Sequence, residues 1–265
     1  MGSCCFLQAK MMPFLGPSML VALLRVSAAL DPARDMAWED WKSLHGKAYL
    51  EGEEASRRVV WEENLRMIEQ HNWEASQGKH TYWLGMNHFG DLTNEEFNQM
   101  NSFLLDEVEL AVGNVSFFHK SATERVPRNV DWREKGYVTR VKNQDGICCR
   151  NVKKIGIKIS GFRRVPQGNE KALEHAVAKF GPVSVGINFN GKKFQFYKSG
   201  IFSADCGHGK LRHAVLVVGY EEKKVRKSYW IVKNSWSEKW GVKGYLYLEK
   251  GSNLCGIANE AYYPV

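Results

Sequence analysis

The sequence predicts an α+β protein whose helices and strands are segregated along the chain. Three observations carry this. Apolar and aromatic residues recur at helical spacing over 36–77. Val183, Val185 and Ile187 alternate at strand spacing. Four short runs rich in Val, Ile, Tyr and Trp then follow at 213–220, 228–235, 244–249 and 258–263, reading as an antiparallel, barrel-like unit. Helices first and strands later is the pattern of an α+β chain or of two packed units.

The bulk numbers agree. A chain of 265 residues allows one or two domains, and 44% hydrophobic residues is ordinary for a globular protein. The net charge of +8 hides a division along the chain: residues 30–123 are acidic and residues 124–265 strongly basic. Opposite charge on two joined halves predicts that they bind each other. A basic half also fits nucleic acid, but the chain has no nucleic-acid-binding motif, and that class is set aside. The six cysteines show no Cys-x-x-Cys or Cys/His metal spacing, so no metal or other cofactor is expected.

In order along the chain, residues 1–29 read as a secretory signal. Lys10 supplies charge, Met11–Leu24 is apolar, and Ser27-Ala28-Ala29 offers small residues for cleavage; Pro13, Pro17 and Arg25 interrupt the pattern. The run is too short to span a membrane. Residues 36–48 predict a short helix with Trp38, Trp41 and Leu44 on one face. A longer helix is expected over 51–77, closed by Gly78. Glu53, Arg57, Trp61, Asn64, Ile68 and Asn72 lie three or four residues apart and so share one stripe of it. A short strand at 80–84 comes next. Thr93 and Glu96 then form a capping box for a third helix. Residues 104–123 read as extended, and Asn114-Val-Ser116 is a glycosylation acceptor if the chain enters the secretory pathway. Asn169–Lys179 predicts a helix ended by Gly181-Pro182.

The chemistry is concentrated in His213–Tyr245. A histidine heads one apolar strand, and Asn234 ends the next. A neutral amide accepting from imidazole Nδ1–H would fix the tautomer and leave Nε2 to take a proton. Trp236 and Trp240 are placed to cover that bond. His-Ala-Val-Leu-Val-Val-Gly-Tyr at 213–220 and Lys-Asn-Ser-Trp-x-Glu-x-Trp-Gly-x-x-Gly-Tyr from Lys233 resemble the papain family of cysteine proteases, and within it the cathepsin L-like enzymes. The 53–72 stripe resembles the ERFNIN signature of cathepsin L-like propeptides, with Trp61 where Phe is usual. Gly85-x-Asn87-x-Phe89-x-Asp91 resembles their GNFD motif.

The resemblance covers about 36–144 and 149–265. It implies a helical inhibitory propeptide at 30–123, followed by a papain-like peptidase domain at 124–265. Lys142-Asn143-Gln144 matches the family's oxyanion-binding segment, so the resemblance makes Gln144 the donor to the tetrahedral intermediate, His213 the base and Asn234 its orienter. It implies a disulfide between Cys206 and Cys255, and a propeptide tail running through the cleft. The implied partners are protein or peptide substrates and, for the propeptide, its own enzyme or intact cathepsins. The destination is lysosomal or extracellular.

One element is absent. The nucleophile belongs six residues past Gln144, where Arg150 stands. Cys148 and Cys149 fall short by two and one, and are weak substitutes. His213 follows Cys149 by only 64 residues, against about 130–150 in the family. The expected architecture is therefore truncated after Gln144, with mainly the antiparallel barrel half kept. Three outcomes follow: an endopeptidase with a substitute thiol, a protease-derived inhibitor acting through its propeptide, or a chain left with an exposed, aggregation-prone face. Two local departures also bear on the site. Ser237 replaces the Gly usual after Asn-Ser-Trp, at a cost of about 1 kcal/mol or more if φ is positive. Arg212 places a cation beside the histidine, which would lower its pKa.

Overall fold

The computed structural model describes residues 31–101, 115–117, 125–142, 159–189, 191–207, 213–225 and 227–265. The leader and Asn114, Gln144, Cys148, Cys149, Arg150 and Arg212 lie outside the described residues. The fold is the expected α+β arrangement. Helices α1 (Asp35–His45), α2 (Glu54–Ser76) and α3 (Asn94–Asn101) form most of the N-terminal half, with a short strand β1 (Tyr82–Leu84) between α2 and α3. Strands β2 (Val115–Phe117), β3 (Asn129–Asp131) and β4 (Phe162–Arg164) lead to α4 (Glu170–Phe180) and β5 (Val183–Ile187). Then come α5 (Lys192–Gln195), β6 (Tyr197–Gly200), β7 (His213–Glu221), β8 (Tyr229–Lys233), β9 (Tyr245–Glu249) and β10 (Glu260–Pro264).

Trp38 and Trp41 of α1 bury against Trp61 of α2, with Trp38 and Trp61 edge to face at 5.5 Å. Leu44, expected on the same face, is 66% exposed: it lies one turn past that contact, just before Gly46 ends the helix in the left-handed conformation. The α2 stripe is seated as its spacing predicts. Trp61, Asn64 and Ile68 are buried, and Asn72 brackets Leu84, donating to its carbonyl at 2.9 Å and accepting from its N–H at 3.0 Å. Gly78, just past the helix, takes φ 79° and donates to the Ala75 carbonyl. The capping box forms reciprocally: Thr93 N–H donates to the Glu96 carboxylate at 2.9 Å and Glu96 N–H to Thr93 Oγ1 at 3.2 Å.

Eight of the described strands make one sheet in the order β2-β4-β10-β5-β7-β8-β9, with β3 also on β7. It is open rather than closed, so the barrel-like expectation holds only as an antiparallel core: β10, β5, β7, β8 and β9 are successive antiparallel neighbours. The segment expected to run through the cleft behaves differently at its three described residues. Val115–Phe117 pairs in parallel with β4, at the edge of the sheet and with three strands between it and β7. An edge strand's unpaired N–H and C=O groups are the physical reason such a segment adds there. Cys206 and Cys255 form the expected disulfide, with Cα atoms 5.1 Å apart.

The acidic and basic halves share one core. Ile68, Tyr82, Leu84, Phe89 and Phe97 belong to the same buried cluster as Phe189, Phe194, Trp236 and Trp240. β1 also pairs antiparallel with β6, making a two-stranded ladder across the seam. Gly200 permits that approach: its φ is 85°, and a Cβ there would lie 2.4 Å from the Thr81 carbonyl oxygen.

Candidate active site

β5, β7 and β8 position the site. His213 opens β7 and lies opposite Ile187 of β5. Asn234 follows β8, the other neighbour of β7, and its N–H donates to the Gly244 carbonyl at 3.0 Å. The two side chains meet: His213 Nε2 lies 2.7 Å from Asn234 Oδ1, which also accepts from Ser235 N–H at 2.8 Å. Both residues are buried.

The ring nitrogen is the reverse of that expected. Nε2, not Nδ1, faces the amide oxygen, so Nε2 is the donor of this bond and Nδ1 is the opposite ring nitrogen. The sequence fixes which residues meet but not the ring's rotation, which depends on the packing around it. Trp236 stacks on the imidazole at 4.7 Å and 22°, and Phe189 meets it edge to face at 5.3 Å. Trp240 backs Trp236 at 5.1 Å rather than covering the bond itself.

The N-terminal half closes over this arrangement. Phe97 of α3 packs on Trp236 at 5.2 Å and Phe189 at 5.8 Å, and Phe89 reaches Trp236 at 5.8 Å. Phe97 and Phe189 are missed by motif reading. Phe189 does carry a signal, because it continues the alternation 183, 185, 187 past the end of β5. Phe97 has none beyond being one of two apolar residues, with Met100, in a short polar helix.

Ser237 has φ 67°, the left-handed conformation its replacement of Gly puts in question. No group of His, Cys, Asp and Glu among the described residues is arranged to hold a metal. No described helix is long and apolar enough to cross a membrane.

The papain family cysteine protease profile matches residues 145–265, and the cathepsin propeptide inhibitor domain matches 38–97. Mouse cathepsin K is 36% identical over 317 aligned positions, taking in 90% of this chain and 96% of the relative. Mouse testin-2 is 37% identical, over 89% and 94%. Among solved structures, procathepsin L 3 of the Tenebrio molitor larval midgut superposes with a TM-score of 0.75 at 26% identity, covering 87% of this chain and 98% of that one. A recombinant stem bromelain precursor superposes with a TM-score of 0.73 at 28% identity, over 87% and 98%. The chain belongs to the papain family of cysteine proteases and carries a cathepsin propeptide inhibitor domain ahead of the peptidase fold.

Proposed function

We propose that this chain is a cathepsin L-like zymogen, propeptide 30–123 and peptidase half 124–265, that keeps the base and its orienter but does not cleave peptide bonds. The observation carrying this is the spacing at the missing nucleophile: Arg150 stands six residues past Gln144, and Cys149 precedes His213 by only 64 residues. The alignment with cathepsin K supports it. That alignment runs over 317 positions while taking in 90% of a 265-residue chain, leaving about 80 positions filled by the relative alone. Asn234 holds His213 through Nε2, so Nδ1 would take a thiol proton, and Gln144 would donate to the oxyanion. Without a thiol in register that base has nothing to activate. Attack requires reacting atoms about 3–3.5 Å apart, and Cys148 or Cys149 would have to reach this geometry from a shifted register. Loss of a triad member removes most of the catalysis.

The test is labelling of the expressed chain at acidic pH with an irreversible peptidyl epoxide, mapped by mass spectrometry beside His213→Ala. The expected result is no histidine-dependent adduct. An adduct on Cys149 or Cys148 that disappears in His213→Ala would establish a rebuilt catalytic site and end this reading.

A second reading is favoured by one observation. The N-terminal half has its own aromatic core of Trp38, Trp41 and Trp61 and presents Phe89 and Phe97 as a docking face. It acts as a binding element on intact cathepsins, within the secretory pathway. Failure of residues 30–123 to inhibit a mature cathepsin L at micromolar concentration would end it.

A further inference from the structure

Gln195 is a polar side chain with no solvent exposure, set between the buried rings of Phe194 and Phe196. Neither the motifs nor the candidate site accounts for it. A carboxamide in that setting needs partners, because a buried polar group left unpaired is costly. Its partners come from the other half of the chain. Nε2 donates to the carbonyls of Phe89 at 3.1 Å and Leu92 at 3.2 Å. Oε1 accepts from the Asn94 amide at 3.4 Å. The backbone carbonyl of Gln195 accepts from Asn87 Nδ2 at 2.9 Å and from Trp240 Nε1 at 3.2 Å. Asn87, Phe89 and Leu92 lie in the turn leading from β1 into α3, and Asn94 opens α3, the element that carries Phe97 onto Trp236.

The orientation of this amide is forced. Both facing oxygens are carbonyls and can only accept, so the donor end must point at them. Leu or Met fills similar space without donating. A Glu carboxylate is nearly isosteric, yet it presents an acceptor to two acceptors. The seat therefore discriminates by chemistry as well as by shape.

We propose that Gln195 is the specificity determinant through which the strand half accepts this pro-segment. The 86–94 turn fits a papain-like surface offering a neutral carboxamide at this place, its own or another chain's, and disfavours one offering an aliphatic or acidic side chain. The proposal deepens the reading of the N-terminal half as a binding element and rests on it.

Hydrogen–deuterium exchange on the full-length chain tests it, each variant normalised to the unmodified protein at the same pH. In Gln195→Glu at neutral pH, amides of 86–92 and α3 should exchange about tenfold faster or more while β7 is unchanged, as expected when docking hydrogen bonds are lost from one cooperative unit. Below about pH 4 the carboxyl takes up a proton, donates again, and protection should return in part. Gln195→Met should lose protection at both pH values with no recovery, and it supplies the reading if the Glu variant fails to fold. Wild-type protection in Gln195→Met, or in Gln195→Glu at neutral pH, would overturn the proposal. So would equal acceleration in β7, which would mean general destabilisation. The binding reading fails separately: if residues 30–123 do not inhibit a cathepsin but the exchange pattern holds, Gln195 remains the determinant within this chain and only the action on other chains is lost.

Discussion

Phe97→Ala tests how the two halves are joined. Phe97 is fully buried and meets three rings edge to face: Phe89 at 5.0 Å, Trp236 at 5.2 Å and Phe189 at 5.8 Å. Removing a buried Phe ring costs roughly 3–5 kcal/mol in lost transfer energy and cavity. Two of the three partners lie across the seam, so most of the specific aromatic contribution, about 0.5–1.5 kcal/mol per pair, is docking energy. Urea unfolding followed by tryptophan fluorescence should show a loss of about 3 kcal/mol or more. A double-mutant cycle with Trp236→Ala should return a coupling of about 0.5–1.5 kcal/mol. Acylation of His213 by diethyl pyrocarbonate should accelerate, because the cover over its stacked partner has been thinned. A loss under about 1 kcal/mol with no coupling would show that α3 is not seated on Trp236 and would refute the argument.

Two further predictions concern strain and protonation. Ser237→Gly should stabilise the chain by about 1 kcal/mol, since the serine sits at φ 67° where Gly has no Cβ to clash; an unchanged or lower melting temperature would contradict that. Acid should loosen the seam at His71, whose Nε2 donates to the Tyr82 carbonyl of β1 at 3.1 Å while Nδ1 is buried without a partner. Burial first, then the stacked His80 ring and Lys193, hold the His71 imidazole below its usual 6.5 against the opposing pull of the Tyr82 carbonyl and Glu74. A base whose folded pKa is lowered gives stability that is complete above the unfolded pKa and lost as pH falls toward the folded one. The melting temperature should therefore fall below about pH 6.5. His71→Gln keeps a donor to Tyr82 and does not titrate, so it should flatten that slope; an identical acid limb in the variant would remove His71 from the account.

Whatever depends on local periodicity, capping or motif spacing could be read from the sequence. The α2 stripe, the Thr93–Glu96 box, the alternation of β5 and the meeting of His213 with Asn234 are of this kind, because each is set by residues within one element or by two adjacent strands. The Cys206–Cys255 pair and the propeptide motifs were legible through family resemblance. What needs distant segments in contact could not be read. The exposure of Leu44 depends on where the α1–α2 contact ends, and the imidazole rotation on Trp236 and Phe189 packing around the ring. The pairing of Val115–Phe117 depends on a free sheet edge. Gln195 lies between Phe194 and Phe196 with no local pattern to mark it, and its partners come from the 86–94 segment about a hundred residues away. Sequence alone thus determined the longer elements (though not the short β3, β4, α5 and β6), the family and the register gap where a nucleophile belongs. Only the tertiary structure decided how the halves are locked together, because that lock consists of hydrogen bonds and ring contacts between residues that no local pattern relates.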